Sequence, residues 1–378
     1  MARIAIAGHL CLDIIPEFPA GTYDLGTLLV PGSLTEVGEA TVATGGAVSN
    51  TGQALHRLGE DVVLVAKIGN DEFGCTVQRI LRQAGRTLTD GLMVDTDSHT
   101  SYTLVINPPG VDRIFLHSPG ANHTFCAEDI DNVAVEGSDL FHFGYPPLMR
   151  NIYEQDGAEL KKIFDRMKSR GMLTSLDMTF VDPASEAGQV DWQSFLKNVL
   201  PSTDIFLPSL DEILFMVDRE KYSQLVADFG ENIIQGVDTE LVEETAQRLI
   251  DLGAPVVVIK LGAHGLYLRT ASSVPGRNAS WSNVSRFDSC FCTHVVGTTG
   301  AGDCTIAGFL SAYVNDASPE EAMTTAVATG SFSTESLDAV SAVPHRSQLQ
   351  VRIDAGWERL PGKFSHSINE YARPTEPV

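Results

Sequence analysis

Apolar residues alternate from Arg3 to Gly8, with Ile4 and Ile6 on one side, and this two-residue period predicts a strand that ends at Gly8. From 14 to about 44 the period is lost. Pro16, Pro19, Pro31 and several glycines interrupt short apolar patches there, which predicts extended strands outside the main sheet. A helical stripe follows, with Val48, Ala54, Leu55 and Leu58 on one face until Gly59 stops it. Residues 62–68 read as the next strand. Alternation returns at Tyr102, Leu104 and Ile106 and again at Ile114 and Leu116, around Pro108-Pro109-Gly110, and predicts a hairpin. Beyond it, apolar runs at 140–144, 173–178, 204–208 and 256–261 alternate with amphipathic helices at 157–169, 191–199 and 241–252. Short buried runs separated by helices imply an α/β fold: a doubly wound, mostly parallel sheet with helices on both faces. Ligands of such sheets bind beyond the carboxyl ends of the strands.

Composition narrows the function classes. With 26 Lys plus Arg against 49 Asp plus Glu the formal charge is −23, which would repel a phosphate backbone, so nucleic acid is excluded as a partner. Six cysteines form no CxxC pair and read as reduced thiols. No apolar run approaches the ~18 residues of a membrane span, and Met1 to Gly8 is too short for a signal segment, so a cytoplasmic protein is expected.

The chemistry concentrates at Gly297-Thr298-Thr299-Gly300-Ala301-Gly302-Asp303. The apolar run from Cys292 to Val296 predicts a strand leading in, and Ile306, Phe309, Leu310, Tyr313 and Val314 follow at helical spacing. A glycine loop that opens a helix lets a ligand approach the backbone and presents amides at the positive end of the helix dipole, which makes an anion site. A carboxylate beside such a site handles a proton or a metal ion, or caps the helix; a bare loop with a capping Asp303 is the plainer alternative. Upstream, Gly45-Gly46-Ala47-Val48-Ser49-Asn50 opens another helix. Its glycines would let a hydroxylated ligand approach, and Asn50 offers both a donor and an acceptor, although a helix-start amide bonded to backbone fits the same pattern. Asp13, five residues past the first strand, is a ligand contact or a buried cap, and Asn122 in Ser118-Pro119-Gly120-Ala121-Asn122 is a second contact or a turn residue.

Thr-Thr-Gly-Ala-Gly-Asp resembles the C-terminal signature of the ribokinase-like (phosphofructokinase B type) sugar kinases, and Gly-Gly, three residues, Asn looks like their N-terminal signature. The resemblance extends over about residues 3–350. It implies that Gly300, Ala301 and Gly302 form an anion hole for the transferred phosphate and that Asp303 is the catalytic base. It further implies that Asp13, Gly45, Gly46, Asn50 and Asn122 bind the substrate, and that residues 14–44 and 97–118 form a β-sheet lid within one kinase domain spanning 1–378. Lys260-Leu261-Gly262-Ala263-His264-Gly265 resembles the nucleotide-binding turn, where Gly262 and Gly265 would admit ATP and His264 would face solvent. Thr299, and Val327 on a small-residue helix from Ala322 to Ser333, join Lys260 on the cofactor side. That helix would let a purine lie against it, although close helix packing explains the same residues. Pro208-Ser209-Leu210-Asp211-Glu212 takes the place of the family's Asn-x-x-Glu motif, with Glu212 organising Mg²⁺ through water and Ser209 replacing the Asn. Asp177 is read as structural.

ATP and Mg²⁺ are the cofactors implied. A monovalent cation is doubtful, because Gly297 stands where many relatives carry Asp. A homodimer through the lid is also implied. Ala47 replaces a Lys common among phosphosugar kinases and ribokinases, and Gly144, followed by Tyr145, replaces the strand-end acid used on ribose. Both changes favour a neutral, fructose-like sugar. A nucleoside or a 2-keto-3-deoxy sugar acid remains open, and so does a non-catalytic sugar- or nucleotide-binding regulator.

Overall fold

The computed structural model describes residues 2–364 apart from 22, 24, 29 and 111–113, so most of the patternless tail 362–378 lies outside the described residues. Strands β1 (Arg3–Gly8), β2 (Cys11–Pro16), β3 (Ala40–Gly45), β4 (Asp61–Gly69) and β5 (Gly91–Asp95) come first along the chain. They are followed by β6 (Tyr102–Ile106), β7 (Ile114–Ser118), β8 (Leu140–Gly144) and β9 (Leu173–Asp177), and then by β10 (Ile205–Phe206), β11 (Val256–Lys260), β12 (Leu266–Thr270) and β13 (Ser285–Asp288). Nine form one sheet in the order β13-β12-β11-β10-β9-β8-β1-β4-β5, parallel except for β12 and β13 at one edge. The other four form a separate sheet, β3-β2-β6-β7.

The alternation read along β1 sorts the core into two layers. Ala5 and Ala7 face a cluster with Leu160 and Phe164 of the helix Arg150–Ser169, whereas Ile4 and Ile6 face one with Leu55 of the helix Ala47–Leu58 and Phe309 of the helix Ala301–Val314. Each fully buried Ile contributes about 1.5–3 kcal/mol by leaving water.

Several expectations shift. The run Cys292–Val296 is not a strand. Its amides reach past the sheet, from Cys292 to the Glu358 carbonyl and from Val296 to the Thr334 carbonyl, and Val295 is 58% exposed. The extended region 14–44 contributes strands only at its ends, in β2 and β3. The helix expected from 157 begins at Arg150, but non-helical dihedrals at Glu154–Gly157 break it, so its regular part starts where the pattern placed it. The strand expected at 204–208 is assigned over only Ile205–Phe206, although main-chain bonds from Asp204 to Thr174 and from Leu207 to Leu176 continue along its edge. The helices Leu210–Val217 and Arg219–Phe229 went unread. The first is buried nearly all round and the second buries only Leu225, so neither shows an amphipathic stripe.

The two sheets join where β1 hands over to β2. Gly8 has φ 120°, and a Cβ there would lie 2.3 Å from the Gly144 carbonyl oxygen. Gly144 in turn closes β8 against the start of the helix Ala47–Leu58, where an added Cβ would sit 2.2 Å from that of Ala47. Gly144→Ala is therefore expected to lower the unfolding free energy by about 1–3 kcal/mol through overpacking, read as a lower urea midpoint at constant slope. An unchanged midpoint would mean that the helix start can retreat.

Candidate active site

Gly300, at φ 70°, turns the loop into the helix Ala301–Val314, and a Cβ there would meet Ala339 at 2.4 Å. The Ala301 amide bends back to the Thr298 carbonyl at 3.3 Å, so Gly302 and Asp303 contribute the outward amides of this helix start. Asp303 itself is 2% exposed. Its carboxylate is held from two distant parts of the chain. Asn50 Nδ2 donates to Oδ2 at 2.9 Å, and Tyr145 Oη lies 2.9 Å from both Oδ1 and Oδ2. Burial pushes this carboxyl up from the usual range, while Asn50, the Lys260 charge and Tyr145 pull it partly back.

From Asp303, contacts lead through Tyr145 and His9 to His117 of the small sheet. Asp13 accepts from Cys11 Sγ at 3.2 Å, and burial raises its carboxyl. His9 and His117 meet Nε2 to Nε2 at 3.3 Å, and His117 Nδ1 pairs with Thr103 Oγ1 at 3.0 Å. Burial and the neighbouring imidazoles hold His9 well below its usual range; burial and His123 bring His117 down to about 4, so both rings are neutral at pH 7. Gly45 and Gly46 have a different purpose from the one read in sequence: a Cβ on Gly45 would lie 2.1 Å from Asp13 Oδ2, and one on Gly46 2.5 Å from His9 Nδ1. They make room for these side chains first.

On the other side, Lys260 Nζ pairs with Asp177 Oδ1 at 2.6 Å. Burial opposes the ammonium, but the Asp177 and Glu212 carboxylates outweigh it and hold Lys260 above the usual lysine range. Glu212 Oε2 accepts from the Ser209 amide at 2.7 Å, which caps the helix Leu210–Val217 and leaves Oε1 for another partner. Glu212, Lys260, Gly302 and Asp303 line a channel of about 790 Å³. It adjoins a cavity of about 330 Å³ bordered by Gly262, Gly265, Gly302, Phe291, Val327 and Leu360. A flat, largely apolar group fits the cavity, and an anionic tail reaches from it to the helix start.

The sequence-derived residues divide accordingly. Asn50 meets Asp303 at the helix start formed by Gly300, Ala301 and Gly302, Asp13 lies apart on β2 against Cys11 and Gly45, and Lys260, Gly262, Gly265, Val327, Ser209 and Glu212 border the channel or the cavity. Gly262 opens onto space, whereas Gly265 is required by packing, since its Cβ would meet the Asp288 carbonyl at 1.9 Å. Thr299 lines neither space. Asn122 is corrected: fully buried, it donates to the Leu10 carbonyl and accepts from the Leu10 amide, so it braces the turn beneath Asp13 and offers a ligand nothing. His264 is half-buried, edge-on to Phe364. Asp177 is structural in holding Lys260. His9, His117 and the contact made by Tyr145 were missed. Only the position of Tyr145 at a strand end could have signalled them.

Residues 1–346 match the pfkB family of carbohydrate kinases. The chain is 26% identical to a probable fructokinase-4 of Arabidopsis thaliana over 82% of its own length and 86% of the relative's. Its fold resembles a putative ribokinase II of E. coli in complex with ATP and Mg²⁺ (TM-score 0.69, 18% identity, covering 94% of this chain and 100% of that one). It also resembles a fructokinase double mutant of Vibrio cholerae with fructose, ADP and a potassium ion bound (TM-score 0.66, 21% identity, 93% and 98% covered).

The buried carboxylate has a measurable stability consequence. Because Asp303 titrates higher folded than unfolded, its favourable contribution is complete below the unfolded value of about 3.9 and is lost as the pH rises through the folded value. Asp303→Asn escapes that loss. Its unfolding free energy at pH 7 should equal or exceed that of the parent, with the gap closing as the pH falls into the carboxylate range. A variant clearly less stable at pH 7 would show that the hydrogen bonds from Asn50 and Tyr145 outweigh the cost of burying the charge.

Proposed function

Since the chain belongs to the pfkB family of carbohydrate kinases, enzymes that phosphorylate a sugar hydroxyl, we propose that its phosphoryl donor is ATP and its acceptor a small neutral sugar such as fructose. One observation carries the choice of a neutral sugar. Among the described residues, the polar groups that lead from Asp303 toward the small sheet, namely Asn50, Tyr145, His9 and His117, with Asp13 on β2, include two neutral imidazoles and a carboxyl but no lysine or arginine. A sugar phosphate or sugar acid would find no counter-charge there, whereas hydroxyls find donors and acceptors of both kinds.

In this reading the purine lies in the cavity beside Val327 and the phosphates run along the channel to Gly302. Asp303 takes the proton of the acceptor hydroxyl as its oxygen bonds to the γ-phosphorus, the bond from that phosphorus to the bridging oxygen breaks, and ADP leaves. The Gly302 and Asp303 amides and the Lys260 ammonium face the charge on the transferring group, and the small sheet covers the acceptor against bulk water on its own side. The family implies Mg²⁺ with ATP, and Glu212, with one oxygen unspent, would hold it through water. Mg²⁺ supplies neutralisation of the phosphate oxygens. Exposed Val42, Phe115 and Leu116 on the lid strands support a homodimer through that sheet.

Three outcomes test this reading. ADP release across a panel of fructose, ribose, fructose 6-phosphate, a nucleoside and a keto-deoxy acid should be greatest with fructose or another neutral sugar; a preference for a charged acceptor would overturn it. Asp303→Asn should lower kcat by about 10²–10⁴-fold with ATP affinity retained, and Asp13→Ala should raise the sugar KM far more than the ATP KM. Activity should respond weakly to K⁺, because Gly297 brings no carboxylate and an added Cβ would lie 2.8 Å from the Ser336 carbonyl oxygen. A saturable, K⁺-specific rise in kcat, measured against a bulky organic chloride at equal ionic strength, would refute that point.

A further inference from the structure

Tyr145 holds a conformation and a contact that phosphoryl transfer does not itself require. It follows β8 directly, ahead of Pro146, with φ 64° and ψ 47°. A bulky side chain seldom occupies this left-handed region, and such residues persist where their surroundings over-determine them. Here the hydroxyl lies 2.9 Å from each oxygen of Asp303, while Asn50 takes a further position on Oδ2. An alcohol handing its proton to Asp303 must come within about 2.6–3.2 Å of one of those oxygens. Tyr145 Oη already stands at that distance from both. The phenol therefore stands in the place an acceptor hydroxyl takes in turnover.

Resting on the kinase reading above, we propose that Tyr145 is a positioning residue that masks the base, holding Asp303 away from water until a sugar displaces the phenol. The need is chemical. A carboxylate able to take an alcohol's proton can take one from water: the water oxygen would bond to the γ-phosphorus, the bond to the bridging oxygen would break, Asp303 would receive the proton, and ADP and phosphate would leave. Burial alone does not prevent this, because the channel that admits the phosphates also reaches Asp303. The groups facing the carboxylate from other elements, Asn50, Thr51 and Lys260, stabilise its charge without covering both of its oxygens. His9, its ring centroid 6.2 Å from that of Tyr145, lies on the sugar side, where a bound ligand would push against the phenol.

The test compares Tyr145→Phe with the parent, using ATP and Mg²⁺ without sugar. The ring is kept and only the hydroxyl is lost. Sugar-free ADP release per enzyme should rise about tenfold or more, the scale of one hydrogen bond to a charged group. The acidic limb of that rate should also move to higher pH, because the phenol donates to the ionised carboxylate. A folded, ATP-binding Tyr145→Phe with unchanged sugar-free release overturns the proposal, even if its sugar KM has risen. A second measurement uses the parent protein and does not depend on the variant folding. A deoxy analogue of the accepted sugar, lacking the hydroxyl that is phosphorylated, should lift the phenol and stimulate ATP hydrolysis; an analogue that competes with the sugar yet gives no stimulation overturns the proposal. If no sugar stimulates ADP release by the parent, it is the kinase reading that fails, and the sugar-free comparison still decides the role of Tyr145.

Discussion

The structure depends on keeping one carboxylate charged and nearly dry. Removing Asp303 from water costs free energy unless hydrogen bonds and fixed charge replace its hydration. The replacement comes from Asn50 at one helix start, Tyr145 at a strand end, the Lys260 charge, and the positive end of its own helix. These groups lie on separate elements, and the parallel sheet brings them together because the carboxyl ends of β8, β9 and β11 open on the same side. Lys260 can serve only because Asp177 anchors it, so the charge balance extends one layer further into the sheet.

Much of this was legible in the sequence, for physical reasons. Alternation at β1 and short apolar runs reported β4, β8, β9, β10 and β11 because these strands lie in a layered core, whereas β5, β12 and β13 toward the edges went unread, and the glycine loop reported a helix start because few other residues make that turn. What escaped lacked such a signature. Leu210–Val217 is apolar on nearly every side beyond its first turn, and the run at Cys292–Val296 is apolar without being buried in a sheet. Asn122 shows the limit for single residues: an amide in a turn reads the same whether it faces a ligand or a buried main chain, and here it grips Leu10.

The glycines teach a related lesson. Those at 45 and 46 were read as space for a ligand, yet the structure fills that space with Asp13 and His9. A small residue reports that something comes close without saying what. Of the glycines 45, 46, 262 and 265, Gly262 is the one whose missing side chain faces open space. The same ambiguity explains why His9 and His117, which set the electrostatic character of the acceptor side, had no motif to announce them.

The Asn50–Asp303 hydrogen bond joins residues 253 positions apart. A ribosome adding about 5–20 residues per second needs roughly 13–50 s to make that stretch of chain. During that interval the amide of Asn50 lacks its Asp303 partner. Asp303 cannot be hydrated poorly before Asn50 and Tyr145 are ready to receive it, since both are made first. The order of residues along the chain places the buried carboxylate last among the three groups that must meet.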